Sequence, residues 1–368
     1  MVEWKKLGEV CEIKTGKGIT QKDCSDEYSY PVMSGGQSPM GLYFEFNREA
    51  NTTTISRVGA YAGFVSFIKE KFYCNDKCFS VIPLKNDVFN SKFLYVVLKH
   101  KEESIKKLQS EGGVPTINTK KVGSIFIPIP SLEEQTRIVE ILDTFTSAID
   151  NLKEQIAQRR KQYKYYRDQL LDLEGKEDNI VLFGDICEMM KGDGVQKADF
   201  VDEGIGCIHY GQIYTHYGTF TYTTNKYVSQ EVFNKAKKAS KGDLVMTDTS
   251  ENVEDICKTV AYLGEDDIAV SNHALIIKHK QNPKFLSYST LTRSFFVQKR
   301  KYVVGVKVSG IKPDDLAKIK IFLPSIEEQQ RIVSFLDTFE ASIQNLEAQL
   351  EQRQKQYEYY RNKLLTFR

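Results

Sequence analysis

The residues that could do covalent chemistry are few and poorly spaced for it. Lys312-Pro313-Asp314-Asp315 offers the paired carboxylates of a metal-dependent nuclease, but no acid-x-Lys follows at usable spacing, and the run reads as a turn. Asn282-Pro283-Lys284-Phe285 departs from the Asn/Asp-Pro-Pro-Tyr/Phe pattern that amino-methyltransferases use on a flipped base. There is no G-x-x-x-x-G-K-S/T phosphate loop and no glycine fingerprint followed by the helix and acid of a nucleotide site. Seven cysteines and five histidines include no C-x-x-C pair; Cys74 and Cys78 come nearest. They read as reduced, buried thiols rather than disulfides or zinc ligands. No serine, histidine and acid grouping stands out. The expectation is a chain with no catalytic residue, no metal site and no cofactor of its own.

Composition sets wider bounds. At 368 residues, 41% hydrophobic and 27% charged, the chain is long enough for two or three domains of ordinary globular type. No apolar run approaches the ~20 residues of a membrane span, and MVEWKKLGEV lacks a signal-peptide apolar core, so a cytosolic protein is expected. The net charge of +2 advertises no nucleic-acid partner. Any contact with DNA must come from charges gathered on one face.

The element that must position everything else occurs twice. Residues 130–171 and 324–365 align without a gap, and about 26 of 42 positions are identical. In the first copy Ile138, Leu142, Phe145, Ile149, Leu152, Ile156, Arg159, Tyr163, Tyr166 and Leu170 step by four and three. Ile332, Leu336, Phe339, Ile343, Leu346, Leu350, Arg353, Tyr357, Tyr360 and Leu364 do the same in the second. Such an a/d seam calls for a partner helix along most of its length. Ser131 with Glu134, and Ser325 with Glu328, have capping-box spacing, so each helix should start just after Pro130 or Pro324. Forty residues make a rod of roughly 60 Å. The simplest partner for one copy is the other, antiparallel within the chain. Packing of each on its own domain, or pairing between chains, is the alternative. Arg159 and Arg353 sit at seam positions, where either their stems line the seam while the guanidinium reaches a carboxylate or solvent, or they fix the register.

The segments before each helix begin alike: Leu7-Gly8-Glu9-Val10-Cys11-Glu12 and Phe183-Gly184-Asp185-Ile186-Cys187-Glu188, each followed by a Gly-x-Gly turn. Beyond that they diverge. In the first, 56–68 reads as a Gly-rich turn entering a strand, 79–84 as a strand, 92–108 as a helix and 125–128 as a short strand. In the second, 207–214 reads as strand and turn, 243–247 and 273–277 as strands, 283–301 as a helix and 319–323 as a strand. Both are mixed α/β domains large enough for their own cores.

Ile129-Pro130-Ser131-Leu132-Glu133-Glu134-Gln135-Thr136-Arg137-Ile138-Val139 and Leu323-Pro324-Ser325-Ile326-Glu327-Glu328-Gln329-Gln330-Arg331-Ile332-Val333 resemble the P-x-x-E-Q-x-R-I-V signature of type I restriction-modification specificity subunits. The Trp4-Lys5-Lys6-Leu7-Gly8-Glu9-Val10 opening and the variable–helix–variable–helix layout match too, so the resemblance spans the whole chain. It implies a mixed α/β fold with a pseudo-two-fold internal repeat. Target recognition domains at 1–129 and 173–323 would be separated by conserved helices at 130–172 and 324–368, forming an intramolecular antiparallel coiled coil. It also implies a non-catalytic DNA-reading role, with one half of a split, asymmetric site per domain. Two methyltransferase subunits and the restriction subunits would dock on it, and S-adenosylmethionine, ATP and Mg would belong to those partners.

On that reading, side chains in Gly-rich or turn-like sequence are the ones able to reach base edges or phosphates. They are Ser34, Gln37, Arg57, Tyr61 and Lys77 (a phosphate contact) in the first domain. In the second they are His209, Tyr210, Gln212, Tyr214, Thr247, Thr249, Ser250, Lys299 and Lys301. The helices would act as a ruler, one extra turn in both shifting the domains about 5.4 Å. The competing reading is a coiled-coil scaffold that binds only proteins. The near-neutral charge favours it slightly, and two large unlike domains weigh against it.

Overall fold

Two uninterrupted 40-residue helices, Leu132–Leu171 and Ile326–Leu365, occupy the repeated stretches. The structure, a computed structural model, describes residues 2–85, 88–110, 112–305 and 309–367. Both helices start as their sequence asks, with one difference. Ser131 Oγ and Ser325 Oγ accept from the backbone N–H of Glu134 and Glu328, each at 3.3 Å. The glutamates do not complete the reciprocal cap. Each grips the arginine three residues on, Arg137 or Arg331, in a two-pronged ion pair at 2.6–2.7 Å. A charge-assisted fork on the same helix face is the stronger option for a carboxylate there.

The next residue of the signature explains why it is repeated. Gln135 and Gln329 are almost fully buried, 0% and 1% exposed. Gln135 accepts from the Asn90 N–H at 2.9 Å and donates to the carbonyls of Val88 and Pro130. Gln329 accepts from the Asn282 N–H at 3.0 Å and donates to Pro324 O and Gln281 Oε1. Asn90 and Asn282 are themselves N-caps, of helices Ser91–His100 and Pro283–Ser289. Two residues further, Lys92 pairs with Asp143 at 2.6 Å and Lys284 with Asp337 at 2.7 Å. Each long helix is thus fastened to a globular helix by the same buried amide and the same ion pair.

The residues divide into two compact units, Met1–Glu154 with Glu347–Arg368, and Gln155–Leu346. Contacts therefore divide the long helices part-way along, whereas the sequence reading ends its domains where the helices begin. In the first unit a four-stranded antiparallel sheet runs in the order Cys11–Thr15, Cys78–Pro83, Thr52–Ser56, Val65–Ile68. In a smaller sheet Tyr30–Met33 lies between Leu42–Tyr43 and Tyr73–Cys74, parallel to the latter. Glu3–Lys6 pairs with Phe126–Ile129, which leads into the long helix. Phe79, Phe93, Leu98 and Ile127 share one core with Ile138 and Leu142 of the first long helix and Leu365 of the second.

The second unit repeats this plan in diverged sequence. Cys187–Lys191, Ala274–His279, Leu244–Thr247 and Thr259–Tyr262 follow the same strand order, and Phe220–Thr221 adds a parallel edge. In the other sheet Ile205–Ile208 runs parallel to Ile268–Val270. Ile180–Leu182 pairs with Lys320–Phe322 before the second long helix. Phe183, Leu275, Phe285 and Tyr288 form the core with Ile332 and Leu336.

Within each unit the two long helices run antiparallel. In the first, Phe145 stacks on Tyr360 with centroids 5.2 Å apart. In the second, Tyr166 and Tyr163 lie 5.6 and 6.5 Å from Phe339. Ile149 and Ile156 are buried, Tyr357, Leu364, Tyr163 and Leu170 pack half-buried on the two cores, and Leu152, Ile343, Leu346 and Leu350 are half-buried. Tyr166 and Tyr360 stay 39% exposed at the rim. The seam arginines take a course that neither sequence alternative named. Arg159 lies over the Phe339 ring at 5.7 Å and Arg353 over Phe145 at 5.8 Å, and each donates to a glutamine one turn on.

Three expected elements differ. Residues 92–108 form two helices, Ser91–His100 and Glu102–Lys106, and 283–301 splits into Pro283–Ser289 and Arg293–Lys299, where Thr292 caps a new start. The strand of 207–214 ends at Ile208, and Tyr210–Thr215 is a short helix capped by His209.

Candidate nucleic-acid interface

In each unit the strands bring three loops to one edge. In the first, the parallel strands Tyr30–Met33 and Tyr73–Cys74 end together, with Asn75 N–H donating to Met33 O at 2.9 Å. Arg57, just past Thr52–Ser56, donates its N–H to Lys77 O and accepts from Ile117 N–H, both at 2.9 Å. A side chain at Gly35 would meet Val58 O at 2.3 Å, so only glycine lets the 34–37 loop approach the 57–58 loop this closely. Ser34, Gln37, Arg57 and Lys77 therefore share this edge, and Tyr61 stands 48% exposed on the loop after Arg57. Ser34 is buried; Gln37 and Lys77 are exposed. Arg57 is half-buried, its Nη1 donating to Asp76 O at 3.1 Å and its guanidinium 5.8 Å from the Phe79 ring. Arg57 Nε is enclosed with no partner among the described residues.

The same frame recurs in the second unit. Ser271 N–H donates to Ile208 O at 3.1 Å, Asp248 N–H to His273 O at 3.2 Å, and Ile311 N–H to Asp248 O at 3.0 Å. By these bonds His209 matches Ser34, Asp248 matches Arg57, and His273 matches Lys77. Even the backbone strain is shared. Cys257, whose N–H donates to Thr247 O, holds φ +65°, and Gly63, which donates to Ser56 O, holds φ +94°. A cysteine in the left-handed region is costly, so the loop is over-determined there.

The side chains of this second edge are of another kind. His209 is buried and its Nδ1 accepts from Gly211 N–H at 3.1 Å. Burial, then the electrostatic influence of Lys197 and His273, lowers its pKa. Tyr210 lies 4.4 Å from the His209 ring and 5.3 Å from that of His273, itself at φ +63°. Gln212 accepts from His209 N–H and donates to Asn225, and Tyr214 OH donates to Thr249 O. A cavity of about 520 Å³ opens between Tyr210, Tyr214, Thr249, Ser250, Asn252 and His273. Asp248 is 3% exposed; its Oδ2 lies 3.2 Å from Lys191 Nζ, and Oδ1 has no partner among the described residues.

Two expected contact residues lie inside the fold instead. Thr247 is wholly buried and its Oγ1 accepts from Lys258 N–H. Lys299 is 4% exposed, its Nζ donating to the carbonyls of Glu254 and Ile256, and burial lowers its pKa. It props the 251–256 loop from beneath rather than facing solvent. Lys301 is exposed in the turn after that helix. Sequence reasoning missed Asp248 and His273. The available signal was register: laying the second unit over the first by its strand ends puts them at Arg57 and Lys77. Among the described residues no group of three or more His, Cys, Asp or Glu side chains is placed to hold a metal.

Comparison with known proteins follows the same repeat. The family model described as type I restriction modification DNA specificity domain matches residues 1–159 and 179–353. A putative type I restriction enzyme specificity subunit of Haemophilus influenzae is 28% identical over 388 residues, covering 100% of this chain and 96% of its own. The EcoR124I/EcoR124II specificity subunit of Escherichia coli is 26% identical, with 100% and 94% covered. In fold, the chain is similar to the crystal structure of a type I restriction-modification S subunit from M. genitalium, with TM-score 0.65, 17% identity, and 100% and 97% covered. It is also similar, with TM-score 0.60 and 17% identity over 99% and 97%, to a chain from a study of complex assembly in the type I R-M system.

Proposed function

Because the chain belongs to the type I restriction modification DNA specificity domain family, we propose that it is the non-catalytic subunit that reads DNA for a type I restriction-modification complex. Each globular unit reads one half of a bipartite, asymmetric site. The long helices carry the docking surface for two methyltransferase subunits, and the restriction subunits join that core. S-adenosylmethionine, ATP and Mg serve the partners. No helix among the described residues is long and apolar enough to cross a membrane, which agrees with work on cytoplasmic DNA.

The observation that carries this reading is the shared edge: one backbone frame, used twice, presents Ser34, Arg57 and Lys77 in one unit and His209, Asp248 and His273 in the other. A scaffold that bound only proteins would have no use for two matched frames bearing unlike polar side chains. Backbone-phosphate contacts set register while such side chains select sequence. Genome-wide methylation mapping in a host carrying this chain with its methyltransferase subunit should return one bipartite motif with a fixed gap and two different halves. A gel shift with the same complex that fails to distinguish any duplex sequence would favour the scaffold.

A further inference from the structure

Arg57 and Asp248 occupy one position in two copies of the same frame. Each follows the last residue of the matched central strand, donates its N–H to the residue before the neighbouring strand, and accepts from Ile117 or Ile311. Both carry a buried polar atom with no partner among the described residues, Arg57 Nε and Asp248 Oδ1. Leaving such atoms enclosed is unfavourable unless something completes them. Their hydrogen-bond polarity is opposite, because a guanidinium only donates and a carboxylate only accepts. Resting on the DNA-reading role above, we propose that Arg57 and Asp248 are specificity-determining residues with opposite tastes. Arg57 reads the acceptor edge of a guanine in the first half-site. Asp248 reads the exocyclic amino group of a cytosine or adenine in the second.

The surroundings fit each role. Asp76 O and the Phe79 ring hold the guanidinium plane in one orientation, as recognition of guanine O6 and N7 requires. Asp248 directly precedes Thr249, which lines the cavity with His273, and its N–H is held by the His273 carbonyl. Its present ion-pair partner, Lys191, has a side chain 63% exposed on a flexible stem. A phosphate arriving at this edge competes for that ammonium, which frees Asp248 Oδ2 to accept from the amino group. Glu251 and Asp255, which line the cavity, add carboxylate acceptors beside it that suit an amino group on a base.

The test uses the full chain in complex with its methyltransferase subunits and duplex probes of the mapped site. In each probe one base is replaced by an analogue lacking a single group: 7-deazaguanine for guanine, 2-pyrimidinone for cytosine, or purine for adenine. Wild-type complex should lose at least about fivefold in affinity at one first-half guanine without N7 and at one second-half position without its amino group. Which analogue acts in the second half tells cytosine from adenine. Arg57→Gln should be indifferent to the first change only, and Asp248→Asn much less sensitive to the second only, each retaining the other half-site as proof of folding. The inference falls if wild type tolerates every amino deletion in the second half, or if either variant weakens all sequences alike. A wild-type complex with no bipartite preference would instead overturn the functional reading beneath it.

Discussion

The two globular units share strand order, loop register and helix clasp, yet at equivalent positions one presents serine, arginine and lysine and the other histidine, aspartate and histidine. The fasteners are the reverse case: Gln135 and Gln329, Asn90 and Asn282, Lys92 and Lys284 are the same residue types doing the same work. The comparison separates what this architecture must keep from what it is free to change. A buried amide that bonds three backbone or side-chain groups admits almost no substitute. At the strand-end edge the matched positions carry different side chains on the same backbone bonds, so the frame itself does not dictate their type.

The largest effect should come from breaking one fastener. Gln135→Ala leaves the Asn90 N–H and two buried carbonyls without partners, a loss of roughly 2–3 kcal/mol. Amide hydrogen exchange should show helix Ser91–His100 opening more easily while Pro283–Ser289 is unchanged, and Gln329→Ala should invert the pattern. Equal loosening of both would mean that the clasps are not local. A smaller, graded difference is expected of the ion pairs. Lys284 is 14% exposed, 2.7 Å from Asp337 and 3.5 Å from the Phe220 ring centroid, whereas Lys92 is 34% exposed. Lys284→Met should destabilise its unit by about 1–2 kcal/mol and Lys92→Met by less than about 1 kcal/mol, read from denaturant midpoints; the opposite order would refute the burial argument.

The smallest effect is a slope with pH. Glu340 belongs to the second unit, and the matching position of the first long helix is Thr146. Burial raises the Glu340 carboxyl above its ordinary range, partly opposed by hydrogen bonds from Thr219, Tyr163 and Tyr288. The folded unit therefore holds this proton more tightly than the unfolded chain. That contribution is full below the ordinary glutamate value and is lost as pH rises through the raised one. Glu340→Gln should flatten this decline and cost nothing at neutral pH. Denaturation midpoints across the acid-to-neutral range check it, and an unchanged slope would count against Glu340 as its source.

Much of this was legible in the chain. The heptad steps and the absence of glycine and proline fixed both long helices to within two residues of their starts, because a continuous apolar stripe and a serine cap are local signals. Antiparallel pairing followed from two near-identical seams. What sequence could not deliver was the edge, whose members come from segments far apart and meet only through strand order. Thr247 and Lys299 look from their types like surface contacts, and only packing shows that one is wholly interior and the other supports a loop. The course of Arg159 and Arg353 over phenylalanine rings likewise depends on the facing helix. The paired Asn-x-Lys-Phe-Leu runs at 90–94 and 282–286 were in plain view, but their meaning lay in Gln135 and Gln329, about 45 residues later.

One consequence concerns the order in which the protein can be finished as it is made. The core of the first unit includes Leu365, with Tyr357, Leu364 and Phe367 packed on it, and these residues follow the whole of the second unit in the chain. The second unit is a single unbroken segment, 155–346. During synthesis the later-translated head can close first, while the earlier one waits with part of its apolar surface uncovered until the last turns of helix leave the ribosome. The first head is begun first yet completed after the second, because its core waits for the far end of the second long helix.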